Sequence, residues 1–223
     1  MPRKILEHIY DFENIIWDWN GTLLNDKHVV HETEADLFPK YGMHSPSVET
    51  RQKLFCFPIV EYYKKVGFNF EKHNFEQLNR DFMAIYESKL KNTPLFEGMA
   101  ELLAEIKNLG KKQYILSAGP QDHLNEIVPA HKIDHLFEAV YGLSSNDAHS
   151  KIERGHELVR DFGLEPSQTL LIGDTEHDFE VAEALGFESL LIADGHKPFE
   201  ILVKVGKRVI PSRYTCTTSA FHE

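Results

Sequence analysis

Three carboxylates, one hydroxyl and one lysine of this 223-residue chain stand where they could do chemistry together. Asp18 ends the apolar run IIW and is followed by Trp19-Asn20-Gly21-Thr22. Ser117 ends QYIL, Asp174 ends TLLIG with Asp178 four residues on, and Lys151 precedes a helical pattern. In an open parallel sheet, ligands bind beyond the carboxyl ends of the strands, so polar residues placed there by separate strands can converge. Taken singly, each has a plainer reading as a turn residue, a helix cap or a solvated charge. The formal net charge of −11 repels nucleic acid and anionic lipid, so a small anionic substrate needs a locally positive site such as a bound metal ion.

The elements that would position these groups follow from periodicity. Met99, Leu102, Leu103, Ile106 and Leu109 recur at helical spacing before Gly110, and QYIL (113–116) is a short strand. AVYGL (139–143) is a second strand, and its helix carries Ile152, Leu158, Val159 and Phe162 up to Gly163. TLLIGD (169–174) leads to a helix with Phe179, Val181, Ala182 and Leu185, closed by Gly186, and SLLIA (189–193) is the next strand. Such alternation predicts an α/β fold, a Rossmann-like and mainly parallel sheet covered by helices on both faces. Between Asp26 and Pro94 the pattern changes to short amphipathic helices (LFPKYG, VEYYKKVGF, FEQLNRDFMAIYESKL). The expected organisation is a core of residues 1–25 and 95–223, with a helical cap of residues 26–94 inserted after the first strand. RVI is a candidate edge strand near the end.

The combination of Asp18-x-x-Gly-Thr after a first strand, Ser117 after a second, Lys151 before a helix, and Gly173-Asp174-Thr-x-x-x-Asp178 resembles the haloacid dehalogenase superfamily. It resembles most the phosphoglycolate phosphatase-like group with a helical cap, over nearly the whole chain. The resemblance implies Asp18 as the nucleophile that forms an aspartyl-phosphate and also holds Mg²⁺. Asp174 becomes a second metal ligand, Asn20 contributes its backbone carbonyl, and Asp178 anchors a metal-bound water or orients Lys151. An all-oxygen ligand set suits Mg²⁺ rather than zinc. Ser117 would donate to the phosphate and Lys151 would neutralise charge on nucleophile and phosphate together. Pro120 fits the first turn of a helix, which leaves the amides of Ala118 and Gly119 as an anion cradle. The implied partner is a small phosphorylated metabolite.

One position departs from that pattern. Most phosphatases of the superfamily read D-x-D-G-T, the second Asp serving as general acid and base, whereas this chain has Asn20. A neutral amide cannot cycle a proton, and loss of a general acid-base typically removes about 10²- to 10⁴-fold in rate. Three readings follow: a Mg²⁺-dependent phosphatase with an acid from elsewhere or a good leaving group; a hydrolase of carbon–phosphorus or carbon–halogen bonds, with Lys53 as a candidate cap amine; or a phospho-ligand or partner-binding module with little turnover. Asp26, His28, His123 and His177 lie near the motif ends as substitute acids. Asn20-Gly21 is also prone to deamidation, which would complete the usual motif.

The remaining features have plainer readings. His28 and His31 share helical spacing, but no third ligand accompanies them, so a solvated face is expected. Trp17 and Trp19 are expected to pack one on each side of the first strand. Phe55, Phe57, Tyr62 and Tyr63 could line a pocket or form the cap's own core, and Arg51, Lys53 and Lys64 could read an anionic substrate tail or lie on the surface. Cys56 and Cys216 form no C-x-x-C pair, which fits reduced, structural thiols. No apolar run approaches the roughly 20 residues of a membrane helix and the start carries charges where a signal peptide is apolar, so a cytoplasmic protein without membrane contact is expected.

Overall fold

A computed structural model describes residues 2–90, 92–143 and 150–214. Six strands, β1 (Asn14–Trp17), β2 (Lys112–Pro120), β3 (Ala139–Leu143), β4 (Thr169–Gly173), β5 (Glu188–Ile192) and β6 (Val209–Ile210), form one sheet. Its order is β3-β2-β1-β4-β5-β6 and every pairing is parallel. The helices are α1 (Arg3–Ile9), α2 (Lys27–Leu37), α3 (Val48–Leu54), α4 (Ile59–Lys65), α5 (Phe75–Leu90), α6 (Met99–Asn108), α7 (Gln121–Ala130), α8 (Lys151–Phe162), α9 (Glu176–Leu185) and α10 (Phe199–Leu202). The fold is α/β, a Rossmann-like core with an inserted helical cap.

The chain moves outward from β1 in one direction through β2 and β3, then returns to lay β4, β5 and β6 on the other side. The strand order therefore reverses between β1 and β4, and a crevice opens beyond their carboxyl ends. Asp18 and Asp174 are the residues that follow these two strands. Hydrophobic runs buried on both faces make the strands: β1 and β4 have no exposed residue. Ile15 and Trp17 pack with α1, α6 and α7 on one face, while Ile16 packs with α8 and α9 on the other.

Helix ends follow local rules. Gly163 and Gly186 stop α8 and α9 in the left-handed conformation (φ 61° and 74°), which only glycine adopts at little cost. Ser150 and Glu153 form a reciprocal capping box at the start of α8, worth about 1 kcal/mol, and so fix the turn that presents Lys151. In the cap, Leu37, Phe38, Phe55, Tyr62, Tyr63, Phe68 and Leu78 make a hydrophobic cluster of their own.

Three local expectations need correcting. Trp17 and Trp19 lie in the same core cluster, since residues two apart in an extended chain point to one face. β2 continues past QYIL to Pro120, with an irregular register after Leu116, and Pro120 caps α7 from outside its first turn. Helix α1 was not anticipated, because seven residues give too short a repeat to read; Ile5, Leu6 and Ile9 bury its inner face. Cys216 lies outside the described residues, while Cys56 is half-buried with Lys65 Nζ 3.0 Å from its sulfur. No helix among the described residues is long and apolar enough to cross a membrane.

Candidate active site

β1 and β4 deliver Asp18 and Asp174 side by side, and the first turn of α9 adds Asp178. Oxygens of the three carboxylates lie within 4.8 Å of one another, and all three residues are buried. Lys151, at the first position of α8, reaches back between them: its Nζ donates to Asp18 Oδ1 and Asp178 Oδ1, both at 2.6 Å. Asp178 Oδ2 accepts from the backbone of Asp174 (3.2 Å) and from the backbone and hydroxyl of Thr175 (3.0 and 2.8 Å). With both oxygens engaged, Asp178 is built to hold Lys151 and the β4–α9 turn. Asp174 Oδ1 accepts from the Thr22 hydroxyl at 3.2 Å and Oδ2 from the His196 amide.

This approach is tight enough to dictate two glycines. A β-carbon on Gly21, which has φ 76°, or on Gly195 would collide with the Asp174 carboxylate. Burial pushes the Asp18 carboxyl up to about 8, with Asp178 and Asp174 adding to it against the pull of Lys151. Burial likewise lifts Asp174 to about 6. Burial also opposes the charge on Asp178, but there Lys151 and the Thr175 donors win and hold it below the usual range. Negative charge is thus under-compensated at Asp18 and Asp174. Hard oxygen donors with that deficit fit a divalent cation such as Mg²⁺.

Ser117, buried at the end of regular pairing in β2, accepts from the Gly119 amide at 3.0 Å, which leaves its hydroxyl proton to donate outward. Ser117, Ala118, Gly119, Asp18, Asn20, Lys151, Asp174 and Asp178 all line one cavity of about 230 Å³. These eight residues of the metal and phosphate site read from the sequence therefore lie around one cavity.

Asn20 is locked. Its Nδ2 donates to Asp26 Oδ2 (3.1 Å) and to the Tyr86 hydroxyl (2.7 Å), and Tyr86 in turn donates to Asp26 at 2.5 Å. Because a carboxylate only accepts, the amide must present its NH₂ to Asp26 and turn Oδ1 inward, 3.7 Å from where a β-carbon on Gly119 would sit. Asp26 also accepts from the Gly21 amide (2.8 Å) and pairs with His196 Nε2 (3.2 Å). Despite its burial these partners hold Asp26 below the usual carboxylate range, so it is no proton donor. The same contact pins the Gly21 nitrogen that would have to attack Asn20 in deamidation. Of the other substitute acids, His28 is exposed and away from the cavity, whereas His123 and His177 line it.

Several residues in the cavity wall or behind it escaped the sequence reading. His196 and Asp194 follow β5, so the strand-end rule that found Asp174 also points to them. Glu34, Tyr86 and Arg213 had no local signal. Arg213 is completely buried; it donates to Asp194 (2.7 and 2.9 Å) and to the backbone carbonyls of Gly21 and Thr22, with Phe96 against its face. It ties the turn after Asp18 to the loop carrying His196. Of the cap cations, Arg51 lines the cavity while Lys53 and Lys64 are exposed and bonded to Glu49 and Glu61.

Known proteins agree with this architecture. A 5'-nucleotidase of Pseudomonas aeruginosa is 25% identical over 187 residues, covering 82% of this chain and 84% of its own. A phosphoglycolate phosphatase of Haemophilus influenzae is 29% identical over 125 residues, 55% of this chain and 56% of its own. Among solved structures, a haloacid dehalogenase-like family hydrolase from Streptococcus pneumoniae superposes with a TM-score of 0.80 at 21% identity, over 91% of this chain and 95% of that one. The haloacid dehalogenase-like hydrolase family model matches residues 15–192, nearly the whole described core and cap, and the chain belongs to that family.

Proposed function

We propose that this protein is a Mg²⁺-dependent phosphatase of a small phosphorylated metabolite, acting through an aspartyl-phosphate on Asp18. The observation that carries the reading is Lys151 clamped between Asp18 and Asp178, with Asp174 beside them at the sheet's switch point. Mg²⁺, held by Asp18, Asp174 and the backbone carbonyl of Asn20, would supply positive charge for the phosphoryl group. Lys151, the Ser117 hydroxyl and the Ala118 amide orient that group for in-line attack by Asp18, while the Gly119 amide, bonded to the Ser117 oxygen, holds that hydroxyl in place and so drops out of the expected two-amide cradle. Asp178 keeps Lys151 in place. Residues 26–94 act as the cap over a core of 1–25 and 95–223; closure excludes bulk water during transfer to Asp18, and after the alcohol leaves a water molecule hydrolyses the aspartyl-phosphate to free Asp18 and inorganic phosphate.

Asn20 sets the character of the enzyme. Its inward carbonyl oxygen accepts a hydrogen bond but donates no proton, so esters whose alcohol leaves without an acid are the favoured substrates. The phosphonate reading loses its amine, since Lys53 faces solvent with Glu49 2.6 Å away. The test is release of inorganic phosphate from a panel of phosphomonoesters, with and without Mg²⁺, by wild type, Asn20→Asp and Asp18→Asn. Wild-type release that requires Mg²⁺ and vanishes in Asp18→Asn is expected; silence of wild type and Asn20→Asp throughout refutes the enzyme assignment and leaves a phospho-ligand-binding module.

A further inference from the structure

The cap half of the cavity already holds a closed charge pair. Arg51 on α3 and Glu34 on α2 are both buried, and Arg51 Nε donates to Glu34 Oε1 at 3.1 Å. The Tyr62 hydroxyl donates to the same oxygen at 2.9 Å, and the guanidinium lies 4.6 Å from the Phe55 ring centre and 5.7 Å from that of Tyr62. Arg51, the one lysine or arginine among the described cap residues that lines the cavity, is thus neutralised before any substrate arrives. Glu34 Oε2, by contrast, is buried with no hydrogen-bond partner among the described residues, although Glu34 lines the cavity. A carboxylate oxygen left this way lacks a donor, and an approaching anion worsens its position.

Among the described residues, the core half adds no lysine or arginine to the cavity besides Lys151. Lys151 is committed to Asp18 and Asp178, and His196 faces Asp26. Five carboxylates (Asp18, Asp26, Glu34, Asp174 and Asp178) line the cavity against two permanent cations, Arg51 and Lys151. With all five ionised, a divalent ion still leaves one net negative charge before the phosphate arrives, and Arg51 Nη1 lies 3.5 Å from His196 Nδ1, which can meet it only as an acceptor. The rest of the cap wall is mainly apolar, with Val30, Phe55, Phe57, Ile59, Phe82 and Met83 beside Tyr63, Tyr86 and the single amide of Asn79.

We infer that the cavity selects phosphomonoesters whose body is uncharged, partly apolar and equipped with a hydroxyl or N–H donor for Glu34, and rejects those carrying a second anionic group. Glu34 is then the specificity-determining residue, acting both as acceptor for the substrate body and as the charge that silences Arg51. This rests on the phosphatase reading and narrows it: a phosphorylated alcohol is favoured over a phosphorylated acid such as phosphoglycolate.

The experiment uses pairs matched in carbon number: 2-hydroxyethyl phosphate with phosphoglycolate, glycerol 3-phosphate with 3-phosphoglycerate, and glucose 6-phosphate with 6-phosphogluconate. Turnover is measured for wild type and Glu34→Gln, and binding by calorimetry in the Asp18→Asn background with Mg²⁺. Wild type should prefer the alcohol of at least one pair by about 10- to 100-fold in kcat/KM and in Kd, the scale of one buried like-charge contact. Glu34→Gln, which keeps an acceptor but releases Arg51, should improve the acid member by about tenfold, a gain that misfolding cannot produce. Equal or better handling of the acids by wild type, or an unchanged ratio in Glu34→Gln, overturns the inference. Discrimination in binding with no turnover of these compounds or of an aryl or acyl phosphate overturns the phosphatase reading alone, turnover without discrimination overturns the inference alone, and neither binding nor turnover overturns both.

Discussion

Asn20→Asp exchanges a donor for an acceptor at a contact where Asp26 can only accept. The two side chains meet at 3.1 Å. Two unit charges at that distance repel by about 5 kcal/mol at an effective dielectric constant of about 20. Keeping one carboxyl protonated at pH 7, about three units above its ordinary value, costs about 4 kcal/mol. Protonation is the lesser penalty, so the new pair shares a proton at neutral pH. The folded pKa of the pair then lies above the unfolded value, and stability is lost as pH rises from about 4 toward that folded pKa. The variant should therefore trail wild type by up to about 4 kcal/mol at pH 7, the gap closing by about 1.4 kcal/mol for each unit of acidification. Urea unfolding of both proteins from pH 5 to 8 reads this directly. The shared proton is also the missing acid, so turnover should rise by about 10²- to 10⁴-fold for alkyl phosphates and hardly at all for aryl or acyl phosphates. Equal acceleration along such a leaving-group series, or a stability gap that does not change with pH, refutes the reasoning.

Three further outcomes follow from the same geometry. Lys151→Met leaves Asp18 and Asp178 buried without their cation and should cost about 3–5 kcal/mol in urea unfolding, along with all Mg²⁺-dependent turnover. Arg213→Met strips Asp194 of its partner and the Gly21 and Thr22 carbonyls of their donor; a similar loss of about 3–5 kcal/mol is expected, with kcat falling more than KM rises as the nucleophile turn loosens. Mg²⁺ should raise the thermal midpoint of wild type by relieving the raised carboxyls of Asp18 and Asp174. Chelation should reverse that gain, and Asp174→Asn should abolish it in calorimetry.

The parts of the site that the sequence announced are those with local signatures. Asp18 and Asp174 each stand at the end of a short apolar run, Lys151 sits behind a capping box, and Gly163 and Gly186 mark helix ends by a conformation that other residues avoid. Cap–core pairings have no such signature. Arg51 was one of three cap cations with equal claims until α2 brought Glu34 against it, and the role of Asp26 depended on Tyr86, sixty residues away. A buried polar network is specified by three-dimensional complementarity, and its members are individually ordinary in sequence. The tryptophans were legible in principle, because alternation along an extended chain places Trp17 and Trp19 together.

The brace between Arg213 and the turn after Asp18 joins residues 191 and 192 positions apart. Its consequence is temporal. β1 is hydrogen-bonded to β2 and β4, about a hundred and about a hundred and fifty residues later in the chain, and the turn after Asp18 waits for Arg213. A chain that stops short of Arg213 lacks this brace, so on the phosphatase reading a nascent molecule is expected to gain activity only once nearly all of its described length is available to fold. Appearance of activity in a refolding or translation time course would accordingly report closure of these long-range contacts, the slowest kind to form.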